Sequence, residues 1–161
     1  MNDLAGESAS ARAVVRRAGP GDLDDAARLF NEYRQFYGYT DDLGASRSYL
    51  GARLDAAESV VFLSFADGAA VGFCQLYRSF CSLDLAPIFV LYDLFVDSGA
   101  RRLGVARSLL AAATAHGVEA GASRLELSTA LDNTAAQQLY EELGWMPDET
   151  YRHYELPLPP R

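Results

Sequence analysis

The 161-residue sequence predicts an α/β fold, with a central sheet covered by helices on both faces. Three observations carry that prediction. The hydrophobic period switches repeatedly between the helical and the strand value, giving the order strand, two helices, three strands, helix, strand, helix, last strand or strands. Ile88 to Val96 is a nearly continuous apolar run whose one charge is Asp93, the pattern of a strand buried on both faces. Half of the residues are hydrophobic, so the chain can bury a sizeable core, and its length suits one domain. We expect that domain over residues 11–161, after a small, polar, disordered segment at 1–10.

Arg12 to Ala18, with Val14 and Val15, reads as a short strand. The breaker Gly-Pro-Gly-Asp at 19–22 ends it, and Asp22 can cap the helix that follows. Leu23, Ala27, Phe30 and Arg34 keep helical spacing, and Gly38 closes that helix. A second helix is expected from Ala45 to Ala57. Ser59 to Phe65 and Ala69 to Tyr77 read as a hairpin turning at Asp67-Gly68. A loop is expected at 78–87, then the apolar strand, then a connection at 97–102. The next helix is expected from Leu103 to Ala120, with small and apolar residues on one face. Arg124 to Ala130 alternates as a strand, and Asp132-Asn133-Thr134 caps a helix that ends at Gly144. Trp145 to Leu156 supplies one or two last strands before a proline-rich tail.

Composition excludes several functions. The net charge of −8 argues against a general nucleic-acid binder, which needs a basic face. An acidic surface favours a cationic substrate as well as solubility. All fourteen basic residues are arginine, so the protein has no lysine of its own to modify. Cys74, Cys81, His116 and His153 lack the spacing of a zinc site, and no metal is expected. Cys74 has no histidine near it in sequence, which argues against a cysteine nucleophile, and His116 reads as a surface residue on an alanine-rich helix. No positively charged apolar leader opens the chain and no 18-residue apolar run occurs, so we read it as cytoplasmic and without a membrane.

The chemistry-bearing motif is Arg101-Arg102-Leu103-Gly104-Val105-Ala106, followed by Arg107, at the start of an apolar helix. A helix N-terminus already carries about half a positive charge, so clustered cations there need an anion. Free amides at the helix start, a glycine that lets a ligand approach, and guanidinium groups together make an anion site of pyrophosphate type.

This Arg-x-x-Gly-x-Ala turn, the preceding Leu91-Tyr92-Asp93-Leu94-Phe95-Val96 and the later run from Asn133 through Tyr140 to Gly144-Trp145 resemble the GNAT superfamily of N-acetyltransferases. The first helix, Phe30 to Gly38, resembles a subgroup that acetylates histone tails and polyamines. The resemblance implies a mixed, mostly antiparallel sheet of six to seven strands with helices on both faces, and acetyl-CoA as cofactor. It implies that the turn from Arg101 to Arg107 holds the pyrophosphate and that the backbone of Leu94, Phe95 and Val96 pairs with the pantetheine arm. Asn133 would hold the pantetheine or cap its helix, and Tyr140 would protonate the leaving thiolate. Asp93 is the candidate base, although Tyr92 stands where polyamine acetylases of the family carry an acid. Glu32 and Asp84 are lesser candidates. Tyr33 and Tyr37, with Phe36 and Tyr39 beside them, would cover the amine. The implied acceptor is a small polyamine-like or amino-containing metabolite, or a protein lysine. The implied assembly is a homodimer paired through the aromatic C-terminal strand. The alternative reading is a non-catalytic acyl-CoA-binding or sensory module.

Overall fold

The computed structural model describes residues 13–159, so the expected disordered segment at 1–10 lies outside the described residues. The chain forms two compact units, one up to Ser128 and one from Thr129.

In the first unit, β1 (Val14–Arg17) leads through a 3-10 turn (Pro20–Asp22) into α1 (Leu23–Phe36), then α2 (Leu43–Asp55). Next come β2 (Ser59–Ala66), β3 (Ala69–Cys81) and β4 (Ala86–Val96). A second 3-10 turn (Ser98–Ala100), α3 (Val105–Glu119) and β5 (Leu125–Glu126) complete the unit. The five strands form one sheet in sequence order; all neighbours are antiparallel except β4 and β5, which are parallel. The sheet is therefore mixed and mostly antiparallel, but among the described residues it has five strands rather than six or seven.

Local chemistry explains most boundaries. The Asp67-Gly68 turn has both residues at positive φ, 49° and 80°, which turns β2 tightly into β3. Asp42 caps α2 by accepting the Ala45 N–H at 2.8 Å. Asp22 does not cap α1. Its carboxylate accepts from Arg16 at 2.6 and 2.7 Å and from the Gly19 N–H at 2.7 Å. The Arg16 guanidinium, then the Gly19 amide, hold that carboxyl down at about 2.

Side-chain alternation sorts the core. Val61, Leu63 and Phe73 face α1 and α2, packing with Ala26, Leu29, Phe30 and Leu50. On the other face, the Cys74 thiol reaches the Leu109 carbonyl, and Phe62 and Phe89 pack their rings against His116 of α3. His116 is thus not the surface residue expected; burial between these rings lowers its pKa. Gly72 lets α3 approach β3, since a Cβ there would meet the Phe95 carbonyl oxygen and Val105 at 3.0 Å.

Other sequence expectations fail: of the strand expected over 124–130, only Leu125–Glu126 forms. The predicted loop at 78–87 is mostly strand: β3 runs on to Cys81 and pairs Arg78 with Phe89 and Cys81 with Ala86. Polar residues there mark an exposed hairpin end, which local pattern reads as loop. Beyond Ser128, the second unit holds α4 (Thr134–Glu142), and no strand occurs among its described residues. Tyr151, Tyr154 and Leu156, expected in a final strand, lie outside any strand of the described residues and are exposed. Strand propensity measures fit to a half-buried pleated surface, and it cannot supply the partner strand.

Candidate active site

The Gln75–Asp93 pairing organises the site. Phe73, Gln75 and Tyr77 alternate onto the α1 side of β3, and Gln75 lies opposite Asp93 of β4. There the register shifts: Gln75 pairs with Asp93 but Leu76 pairs with Leu91, leaving Tyr92 as the extra residue of a β-bulge. The bulge breaks strict alternation, and adjacent Tyr92 and Asp93 both line one cavity of about 910 Å³. Tyr33, Tyr37, Tyr39, Tyr49 and Tyr77 line it too, with Arg34. Six tyrosines, one carboxylate and one guanidinium thus surround this space.

Asp93 is buried, with 5% of its surface exposed. Burial raises its pKa, opposed by hydrogen bonds from the Gln75 amide, at 2.7 Å, and from Tyr33. The Gln75 Oε1 is buried without a hydrogen-bond partner, which leaves an acceptor beside the carboxylate. Tyr49 and Tyr77 share a hydrogen bond of 2.9 Å between their hydroxyls, and burial raises the Tyr77 pKa. A buried carboxylate whose folded pKa is raised opposes folding once it ionises. Asp93→Asn is therefore expected to melt higher than wild type at pH 7. That advantage should vanish at pH 3.5, below the unfolded carboxylate pKa, where both side chains are neutral. A pH series of thermal melts checks this; a variant that melts lower at pH 7 would show Asp93 to be a net stabilising anion.

The other candidate bases are engaged elsewhere. Glu32 accepts from Arg28 at 2.8 Å, and Asp84 accepts from Arg124 and Ser123 at 2.6 and 2.8 Å. Cys74 is buried and its thiol is pushed up to about 12 by desolvation, so it is no nucleophile. Phe36 does not line the cavity; it is exposed, and the Arg101 guanidinium lies 5.8 Å from its ring centre.

The anion turn has the backbone that its sequence requires. Arg102 and Gly104 both have positive φ, 62° and 79°, and Gly104 is the N-cap of α3 without a side-chain cap. The first helical bond runs from the Ser108 N–H to the Gly104 carbonyl at 3.0 Å, so the amides of Val105 and Ala106 precede the helical hydrogen-bond ladder. A Cβ on Gly104 would meet nothing within 4 Å, so the space before these amides is open on that side. Arg102 and Leu103 are exposed on the turn, while Arg101 folds back so that its Nε donates to the Val96 carbonyl at 3.2 Å. Beside the turn, β4 pairs with β5 only at Phe89 and Val90. From Leu91 to Val96, including Leu94 and Phe95, that edge of β4 has no strand partner among the described residues.

In the second unit, the Asn133 side chain accepts the Ala136 N–H at 3.3 Å and donates to Thr129 at 3.4 Å, which caps α4. Tyr140 is half-buried and lies two turns further along, its ring 6.0 Å from that of Trp145.

Comparison with known proteins decides the family. The acetyltransferase (GNAT) family model matches residues 26–145. The chain belongs to the GNAT family. Within that family, it is 39% identical over 145 residues to the uncharacterized N-acetyltransferase YhfO of Bacillus subtilis strain 168, covering 90% of this chain and 97% of the relative. A crystal structure described as a probable acetyltransferase superposes with a TM-score of 0.87 at 40% identity, covering 92% of this chain and 99% of that one. The aminoglycoside N-acetyltransferase AAC(6')-Iy in complex with CoA superposes with a TM-score of 0.77 at 25% identity, covering 93% and 98%. This GNAT chain is therefore an N-acetyltransferase, an acyltransferase by class. Among its described residues, no helix is long and apolar enough to cross a membrane.

Sequence reading missed Arg34, Tyr49, Gln75, Tyr77 and Tyr92 as residues around the cavity. Period-two alternation from Phe73 could have flagged Gln75 and Tyr77. Nothing local announces the bulge at Tyr92.

Proposed function

We propose that this enzyme transfers an acetyl group from acetyl-CoA to a primary amine by direct attack in a ternary complex. The observation that carries the reading is the buried Asp93 carboxylate in a tyrosine-lined cavity. Aromatic faces and a carboxylate are the groups that recognise an ammonium ion. The Gly104 turn supports CoA as the donor. Its positive φ, its open Cβ position and the first-turn amides of Val105 and Ala106 fit a pyrophosphate. The exposed guanidinium of Arg102 adds charge at the same turn. The edge of β4 at Leu94, Phe95 and Val96, which has no strand partner among the described residues, fits an extended pantetheine arm added like a strand.

Bound acetyl-CoA supplies an activated acyl carbonyl. The protein's work is to hold the amine beside it, and such positioning removes roughly 7–11 kcal/mol of barrier. Freeing an amine of pKa about 10.4 of its proton at pH 7 costs about 4.6 kcal/mol. Positioning is the larger quantity, so Asp93 need only orient the amine and pass its proton to solvent. Tyr140, in the family's tyrosine position, donates the proton that the leaving sulfur needs.

The acceptor in this reading is a small polyamine-like or amino-containing metabolite before a protein lysine. Two relatives named aminoglycoside N(6')-acetyltransferase type 1, from Salmonella, are 33% identical over 104 residues and support an amine acceptor. Free-thiol release from acetyl-CoA across an amine panel tests the reading. Release with at least one primary amine is expected. CoA binding without release across the panel would favour a sensory module instead.

A further inference from the structure

We propose that the acceptor is a zwitterion, an amine that carries a carboxylate of its own, with Arg34 receiving the carboxylate while Asp93 faces the amine. This rests on the acetyl-transfer reading and narrows its substrate class. The cavity has two ionic groups of opposite sign, and among the described residues neither forms an ion pair with the other or with a neighbouring charge. Asp93 takes neutral or phenolic donors, Gln75 and Tyr33. Arg34 gives one N–H to the Ser46 hydroxyl at 3.2 Å and stacks 5.4 Å from the Tyr39 ring centre. Guanidinium has five N–H donors, so most of its fork is unused.

Arg34 is unlike many arginines of this chain. Arg16, Arg28, Arg47 and Arg124 each meet a carboxylate at 2.6–2.8 Å. Among the described residues Arg34 has no carboxylate within ion-pair distance, although Asp41 and Asp42 follow shortly after it. Those two are committed elsewhere. Asp41 accepts from Asn31 at 2.7 Å, and Asp42 caps α2. The Asn31 carbonyl in turn takes the Ser46 hydroxyl and the Asp42 N–H at 3.2 and 3.1 Å, which fixes the serine that holds Arg34. The guanidinium is thus positioned against the cavity by neutral groups, with its charge uncompensated.

A half-buried, pre-positioned cation is costly to leave unpaired and suits planar, two-pronged carboxylate recognition. A polycationic acceptor would meet Asp93 favourably but would be repelled by Arg34. A zwitterion satisfies both groups and keeps the loaded cavity close to neutral.

Matched amines test this: L-lysine against cadaverine, L-ornithine against putrescine, and sisomicin as a polycation. Each is measured by thermal stabilisation of the enzyme without donor, and by kcat/KM for thiol release with acetyl-CoA. The amino acids are expected to stabilise more than their decarboxylated partners and to react at least tenfold faster. In Arg34→Met the ratio should fall to about one, and Arg34→Lys should restore part of it. Stabilisation without thiol release from any amine would sink the transfer reading and leave this assignment standing. Equal or stronger stabilisation by cadaverine, putrescine or sisomicin overturns it. So does an unchanged ratio in a folded Arg34→Met, or no stabilisation by either amino acid.

Discussion

Replacing Tyr140 with phenylalanine is expected to lower turnover at least tenfold, within the roughly 10²–10⁴-fold range of positioned acid catalysis, while acetyl-CoA affinity stays nearly unchanged. The substitution removes one hydroxyl and keeps the ring that packs near Trp145, so α4 should keep its fold. Stopped-flow thiol release separates chemistry from product release, and calorimetric titration reports the cofactor affinity. A thiol leaving group needs its proton late, so the loss should appear in the single-turnover rate. Wild-type turnover in Tyr140→Phe would remove this residue as the acid.

Gly104→Val is expected to weaken CoA binding at least tenfold. Two physical causes act together. A β-branched residue at φ +79° costs on the order of 1–2 kcal/mol in left-handed backbone strain. Its side chain would also project into the open space before the α3 amides, where the protein itself offers no contact within 4 Å. Gly121→Val is the control: it has φ +67° and the same open surroundings, but it lies at the other end of α3. Both variants should lose comparable thermal stability, and only Gly104→Val should lose CoA affinity. Equal CoA affinity in the two variants would take the pyrophosphate away from this turn.

The two sites were legible to different degrees. The anion turn is local: Arg101 to Arg107 are contiguous, and the glycine that takes positive φ is visible as a glycine. Arg101 is the exception, because its guanidinium is drawn back to the Val96 carbonyl by a strand end that sequence spacing does not locate. The acceptor cavity is assembled from four elements and the segment between α1 and α2, so no window of sequence contains it. Tyr33 and Tyr37 could be named because α1 is strongly periodic. Tyr49 and Tyr77 could not, since their hydroxyls meet across 28 positions of chain.

By itself, the sequence determined which segments become helix or strand through most of residues 13–128, the sharp turn at Asp67-Gly68 and the glycine-bearing start of α3. Each of these is set by interactions within a few residues, where periodicity, capping and φ preference act. Tertiary structure alone decided the bulge that turns Tyr92 and Asp93 into one cavity, the extension of β3 to Cys81, and the absence of a strand in described residues 145–159. Register and strand pairing are properties of two segments together, and the free energy that selects them exists only once both are present.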